Sequence, residues 1–198
     1  MPWKSTFEPT QHMTAANCAA SSPDRTPARV RLRPTMSSDL EFVLSLENDE
    51  VNLPFITPWE RMQHDAAIRF PDFRHFIIEG GQGLEAAGFL ILIGCKSRNQ
   101  SLELKRMVVQ SKGAGFGRAA LRVAKKVAFD DLGAHRFWLD VKVNNARARA
   151  LYDSEGFVVE GTLRESVRTA DGFESLLVMS MLRPEFEARR ARALEMPA

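Results

Sequence analysis

Apolar and polar positions along the chain change period several times, and each change predicts an element. Val30-Arg-Leu-Arg-Pro alternates and predicts a short strand. Leu40, Val43, Leu44 and Leu46 recur at helical spacing, so a helix capped by Ser37 or Ser38 is expected to run to about Glu50. The proline-punctuated stretch Asn52-Leu-Pro-Phe-Ile-Thr-Pro-Trp reads as a loop. A second helix is expected from about Thr57 to Arg69, with Thr57 as its cap and Pro58 at its first position. Three apolar runs separated by turn residues, 74–80, 85–94 and 101–109, predict an antiparallel meander. A long amphipathic helix at about 115–132 follows, then a strand at 136–143 and a short helix at 145–155. Two last strands, 157–168 and 173–182, join around Ala170-Asp-Gly, a hairpin signal. The expected architecture is mixed α/β: a largely antiparallel central sheet of about seven strands, flanked by helices.

That pattern occupies residues 29–183 as one domain, which suits a chain of 198 residues. Residues 1–28 mix Pro, Ser, Thr, Ala and Asn without periodicity and read as a disordered tail. Trp3 and Phe7 within it could dock on the domain. Residues 184–198 read as a helical tail whose Arg189, Arg190 and Arg192 form a solvated face. With a formal net charge of only +2, nucleic acid is not an expected partner. No apolar run approaches the ~20 residues that span a bilayer, and no secretory pattern opens the chain. Cys18 and Cys95 and the scattered histidines lack metal-ligand spacing. A reduced cytoplasmic protein without a metal is expected.

The strongest chemical signal is Leu104-Lys-Arg-Met-Val-Val-Gln-Ser-Lys-Gly-Ala-Gly-Phe-Gly-Arg-Ala. An apolar strand runs into a turn containing Gly113, Gly115 and Gly117, and then into a helix. Its core stripe is expected to be Phe116, Ala120, Val123, Ala124 and Val127, with Arg118, Arg122, Lys125 and Lys126 solvated. Glycines there let backbone N–H groups approach an anion, and the helix start favours negative charge. Lys112 and Arg118 add cations, so the turn is suited to phosphate or pyrophosphate. A nucleotide P-loop is absent, and a dinucleotide fingerprint would need glycine where Arg118 stands.

Gln110-x-x-Gly113-x-Gly115 resembles the acyl-CoA signature of the GNAT superfamily of N-acetyltransferases. Downstream, Asn145-Ala-Arg-Ala-Arg-Ala-Leu-Tyr-Asp-Ser-Glu-Gly-Phe is similar to a second segment of that family, with Asn145, Ala148, Leu151, Tyr152, Gly156 and Phe157 in register. The same residues make local sense as a cap, a core face and a glycine stop. The resemblance covers about residues 30–182. The ending, from Gly156-Phe-Val-Val-Glu-Gly to Val178-Met-Ser-Met-Leu, looks most like the branch that acetylates N-termini of ribosomal proteins, whose relatives act on small amines.

The resemblance implies acetyl-CoA as co-substrate, no metal, and direct transfer to a primary amine, on a small molecule or at a protein N-terminus. Tyr152, the one tyrosine of the chain, would be the general acid that protonates the departing thiolate. Glu103 is the first candidate for the base, directly or through water; pairing with Lys105 on the same strand face is the competing reading, and Asp140 and Glu165 are alternatives. A backbone N–H of Met107 or Val108 would meet the thioester oxygen. Met107, Val108 and Val109 would hold the pantetheine, and Gln110, Lys112, Gly113, Ala114, Gly115, Phe116, Gly117 and Arg118 the pyrophosphate, with Asn145 near the cofactor. Phe55 and Trp59 would face the acceptor, unless they only anchor their loop. A catalytically idle acyl-CoA-binding module is the alternative from another class. The long final hairpin is compatible with a homodimer.

Overall fold

A computed structural model describes residues 29–195; the expected tail 1–28, with Trp3, Phe7 and Cys18, lies outside the described residues, as do 196–198. Seven strands form one sheet: β1 (Val30–Pro34), β2 (Phe73–Gly80), β3 (Glu85–Ile93), β4 (Ser101–Val109), β5 (Arg136–Lys142), β6 (Val158–Thr169) and β7 (Gly172–Leu182). Their order is β1-β2-β3-β4-β5-β7-β6, and every neighbouring pair is antiparallel except β4–β5. The parallel pair needs a crossover. Helix α3 (Phe116–Lys126), prolonged by a π-type turn at Val127–Asp131, supplies it. The other helices are α1 (Leu40–Glu47), preceded by a 3₁₀ turn at Ser37–Asp39, α2 (Arg61–Arg69), α4 (Ala146–Ser154) and α5 (Arg183–Glu195).

The centre of the sheet is buried on both faces, whereas β6 is exposed along most of its length. Consecutive residues of β2 and β3 enter opposite cores: Ile78, Leu90 and Leu92 pack with Ala120, Leu121, Ala124, Phe129 and Phe137, whereas Ile77, Phe89 and Ile91 pack with Val43 and Leu46 of α1. This two-sided burial is why Phe89–Ile93 of β3 reads as an unbroken apolar run.

The mixed α/β sheet and its meander match the expectation, and the strand bounds agree within two residues. Two helical expectations need correction. Helix α2 begins at Arg61, with Glu60 as cap and Gln63 answering it, rather than at Thr57. Residues 57–59 are instead tied down by long-range contacts: Arg106 donates to the Thr57 carbonyl at 2.7 Å, and the Trp59 N–H donates to Glu47. On α3 the buried positions are Ala120, Leu121, Ala124 and Lys125, so Lys125 is not solvated. Its ammonium meets Glu155, itself only 4% exposed, at 2.9 Å.

Candidate active site

The cleft begins with a defect in strand pairing. Between β3 and β4 the register passes from Ile91↔Arg106 to Leu92↔Leu104, leaving Lys105 as an extra residue. Such a bulge bends its strand. Strands β4 and β5 pair only from Ser101↔Arg136 to Glu103↔Trp138, and beyond that they separate. The resulting fork holds a cleft of about 870 Å³, bordered by 104–109 of β4, 140–142 of β5, the turn before α3, α4, and the loop at 52–59.

The fork leaves main-chain groups without a neighbouring strand. Gln110 N–H donates to the Ala87 carbonyl at 2.8 Å, in register with Gly88↔Val109 and Phe89↔Val108. Hydrogen bonding alternates along an antiparallel pair, so Val108 and Arg106 also turn toward β3. Met107 and Val109 therefore direct their N–H groups to the β5 side, where the fork is open. Gly88 makes this close pairing feasible: a Cβ there would lie 2.2 Å from the Val108 carbonyl oxygen.

On the next wall, Gly113 and Gly115 adopt φ of +77° and +86°, a region costly for other residues, and Gly115 caps α3. Gly113, Gly115, Gly117, Lys112 and Arg118 all border the cleft. Lys112 is engaged: its ammonium donates to Asn52 Oδ1 and to the Val109 carbonyl, both at 2.6 Å. Burial, with nearby Arg147 second, holds its pKa below the usual lysine value. Arg118 leans on Ser154 and Glu155. Phe116 points away, its ring beneath Gly80, where an added Cβ would come within 2.6 Å of it. Gln110, Ala114 and Phe116 do not border the cleft.

Helix α4 supplies the acid candidate. Asn145 starts the helix, its side chain accepting from the Ala148 N–H at 3.2 Å, and it borders the cleft. About two turns later Tyr152 reaches the same space from within the core. Burial first, and the charge of Asp140 second, push its phenol up to about 12, so it keeps its proton at neutral pH.

Phe55 and Trp59 also border the cleft, on the loop before α2. Polar contacts fasten that loop. Asn52 donates to the Leu46 carbonyl, Lys142 to the Pro54 carbonyl (both 2.8 Å), and the Arg106 guanidinium lies 5.1 Å from the Trp59 ring centre. Behind them Glu47, with no exposed surface, accepts from Arg106 and from the Trp59 N–H. Glu47 also lies 3.4 Å from His64 Nε2, and His64 Nδ1 is 3.0 Å from His75 Nε2. Burial, and then neighbouring His64, lower the His75 pKa to about 4. With His75 neutral, its Nε2–H can donate to His64 Nδ1 while its Nδ1 accepts from the Thr35 hydroxyl, 2.9 Å away.

Glu103 stands at the closed root of the fork, outside the cleft lining, and accepts from Lys105 at 3.2 Å. The two share a face, as alternation requires, but the cleft opens only beyond this position. Asp140 on β5 is the one carboxylate that borders the cleft among the described residues. The Glu47–Arg106–His64–His75 network was not foreseen. A signal existed in the phase of α1, since Leu40, Val43 and Glu47 fall on one buried stripe.

A glycine-capped helix beside a forked sheet, with open strand N–H groups and a buried phenol, is the architecture of an acyl-CoA N-acyltransferase. The family model described as an acetyltransferase (GNAT) domain matches residues 29–158, and the chain belongs to that family. It is an acetyl-CoA-dependent N-acetyltransferase. It is 26% identical over 167 residues to the spermidine N(1)-acetyltransferase of Vibrio cholerae, covering 80% of this chain and 96% of that one. Identity to the Escherichia coli (strain K12) enzyme of the same name is 26% over 145 residues, covering 68% and 75%. The crystal structure of the Vibrio cholerae enzyme in complex with CoA and spermine superposes with a TM-score of 0.72 at 26% identity, over 80% of this chain and 98% of that one. A dodecameric structure of that enzyme gives 0.69, also at 26%, over 81% and 97%. These relatives are named for small amines, and the expected likeness to the branch acting on protein N-termini finds no support among them. No described helix is long and apolar enough to cross a membrane, and no described group of His, Cys, Asp or Glu could hold a metal.

Proposed function

We propose that the chain transfers the acetyl group of acetyl-CoA to the primary amine of a small molecule bound in the forked cleft. The observation that carries this reading is the meeting of Tyr152 with the unpaired side of β4 in one space. The cofactor's pyrophosphate rests on the N–H groups of the turn at 113–117. Lys112, Arg118 and Arg147 provide positive charge along the same wall. Mutual repulsion between Lys112 and Arg147 supports an anion between them, because it disappears when one binds.

The thioester carbonyl lies against the Met107 N–H, which stabilises its oxygen as negative charge develops. Of the two donors expected for this role, alternation favours Met107 over Val108. The neutral amine attacks the carbonyl carbon, the carbon–sulfur bond breaks, and Tyr152 gives its proton to the leaving thiolate. The amine's protons leave by a carboxylate. Glu103 would serve only through water because of its place at the root, whereas Asp140 borders the space itself. Phe55 and Trp59 flank the acceptor. The β6 edge exposes Val158, Val159 and Leu163, which supports association of two copies there.

An idle acyl-CoA-binding module would need neither an open acceptor side nor a buried acid, and both are present. Thermal unfolding with acetyl-CoA, and with ATP and NAD as controls, tests the cofactor assignment. Acetyl-CoA at ~100 times its dissociation constant should add about 2.7 kcal/mol, a rise of roughly 5–10 °C. No rise, or an equal rise with ATP, would remove the reading.

A further inference from the structure

Cationic side chains dominate the charge of the cleft. Six cationic side chains border the cleft: Lys105, Arg106, Lys112, Arg118, Lys142 and Arg147. Asp140 is the lone carboxylate there among the described residues. Lys112, Arg118 and Arg147 lie along the wall that receives the cofactor's phosphates. On the acceptor side each cation has its own carboxylate, and each of those carboxylates stands outside the cleft lining. Lys105 pairs with Glu103 at 3.2 Å, Arg106 with buried Glu47, and Lys142 with Glu174 at 2.6 Å.

Asp140 has no such partner, and the fork explains why. Continuing the β4–β5 register past Glu103↔Trp138 would set Asp140 opposite Lys105. The strands separate at that point, and Lys105 turns back to Glu103. Asp140 is left half-buried beside Tyr152 with no ion pair or side-chain hydrogen bond among the described residues. A half-buried, unpaired carboxylate in an otherwise cationic cleft is a site for one cation. The same cleft is lined by Phe55, Ile56 and Trp59, with Val167 and Leu176 from the final hairpin, and this lining suits an apolar or aromatic body.

We infer that Asp140 is the specificity-determining residue that binds the acceptor's ammonium, and that the cleft selects an amine with a single positive charge and an apolar or aromatic body, against polyamines. The inference rests on the acetyltransferase reading above. A polyamine brings two or more further charges. Each would lie among cations already paired, with no second carboxylate to receive it, and like charges in such a space oppose binding. The cationic rim also slows the approach of a multiply charged acceptor.

The test is steady-state kinetics at saturating acetyl-CoA with 2-phenylethylamine and spermidine as probes. For the unaltered enzyme, kcat/KM for 2-phenylethylamine should exceed that for spermidine by about tenfold or more. Asp140→Asn should raise the KM for 2-phenylethylamine by about 10- to 100-fold, the range for losing one charged hydrogen bond, and should lower kcat as well, because the bound ammonium is the nitrogen that must give up its proton before attack. Asp140→Glu should restore part of the loss, and both variants should keep the acetyl-CoA thermal shift. Higher efficiency with spermidine, or an unchanged KM in Asp140→Asn, overturns the inference. So does turnover of neither amine by a protein that still shows the acetyl-CoA shift, and in that case the cofactor reading stands. Absence of the shift removes the underlying function instead.

Discussion

The two walls of the cleft are made in different ways. The cofactor wall is local: the strand, turn and helix from 104 to 126 are contiguous, and two left-handed glycines set the turn. The loop at 52–59 on the acceptor side, with Glu47 behind it, is instead fastened from afar, partly by side chains of that first wall. Arg106 reaches Glu47 across 59 positions, Lys112 reaches Asn52 across 60, and Lys142 reaches Pro54 across 88. Local geometry suits a cofactor whose pyrophosphate never varies. The acceptor loop is held by polar contacts far apart in sequence, one of which, from Lys112 to Asn52, joins it to the cofactor wall.

The contrast predicts that damage to the two walls separates stability from binding. Breaking the acceptor wall at its centre should have the largest effect. Glu47→Ala leaves Arg106 buried without its carboxylate, and loss of one partner of a buried pair costs about 3–5 kcal/mol. At roughly 2–4 °C per kcal/mol for a chain of this size, Tm should fall by about 6–20 °C in calorimetry. A fall of under 2 °C would show that the network does not hold the loop.

Acid titration sharpens the comparison, because each wall has its own titrating group. On the acceptor side His75 is lowered from 6.5 to about 4, so the unfolded chain binds the proton more readily. Its contribution is complete above pH 6.5 and declines as pH falls toward 4. On the cofactor side Glu155 is lowered from 4.5 to about 2: burial opposes this, but Arg122, Lys125 and Arg118 outweigh it. Its contribution is complete above pH 4.5 and is lost as pH falls to about 2, on the order of 3 kcal/mol. Denaturant unfolding across pH 7 to 3 should show the His75 limb first, and His75→Gln should flatten the part above pH 4.5. A curve unchanged by His75→Gln would reject that assignment.

A smaller effect is expected at the glycine turn. Gly115→Ala forces an alanine to φ near +86°, costing about 1–2 kcal/mol. Tm should drop by only a few degrees, while the Kd for acetyl-CoA in titration calorimetry should rise more than tenfold. An unchanged Kd would mean the phosphates bind elsewhere.

Legibility in the sequence followed the same division. The meander, the glycine turn and the capped helix bearing Tyr152 depend on neighbours in sequence, so periodicity and motif spacing show them. The start of α2 was misplaced because Thr57–Trp59 answer to Arg106 and Glu47, which no local window contains. Glu103 drew attention as a strand carboxylate, yet the bulge at Lys105 that opens the cleft beyond it is invisible without pairing partners. Asp140 differs from any alternating strand carboxylate only because the sheet parts beside it. Lys125 looked solvated because α3 is amphipathic, and its burial depends on Glu155 at the end of α4.

The most direct test of the central claim, that the fork is the place of acetyl transfer, is turnover by Tyr152→Phe. The variant keeps the ring in its contact with Phe157 and removes only the hydroxyl. With an amine that the unaltered enzyme acetylates, kcat should fall by ~10²–10⁴ while acetyl-CoA still raises Tm by the same amount. Unaltered kcat in Tyr152→Phe, with acetyl-CoA still bound, would contradict the account and place the proton donor elsewhere.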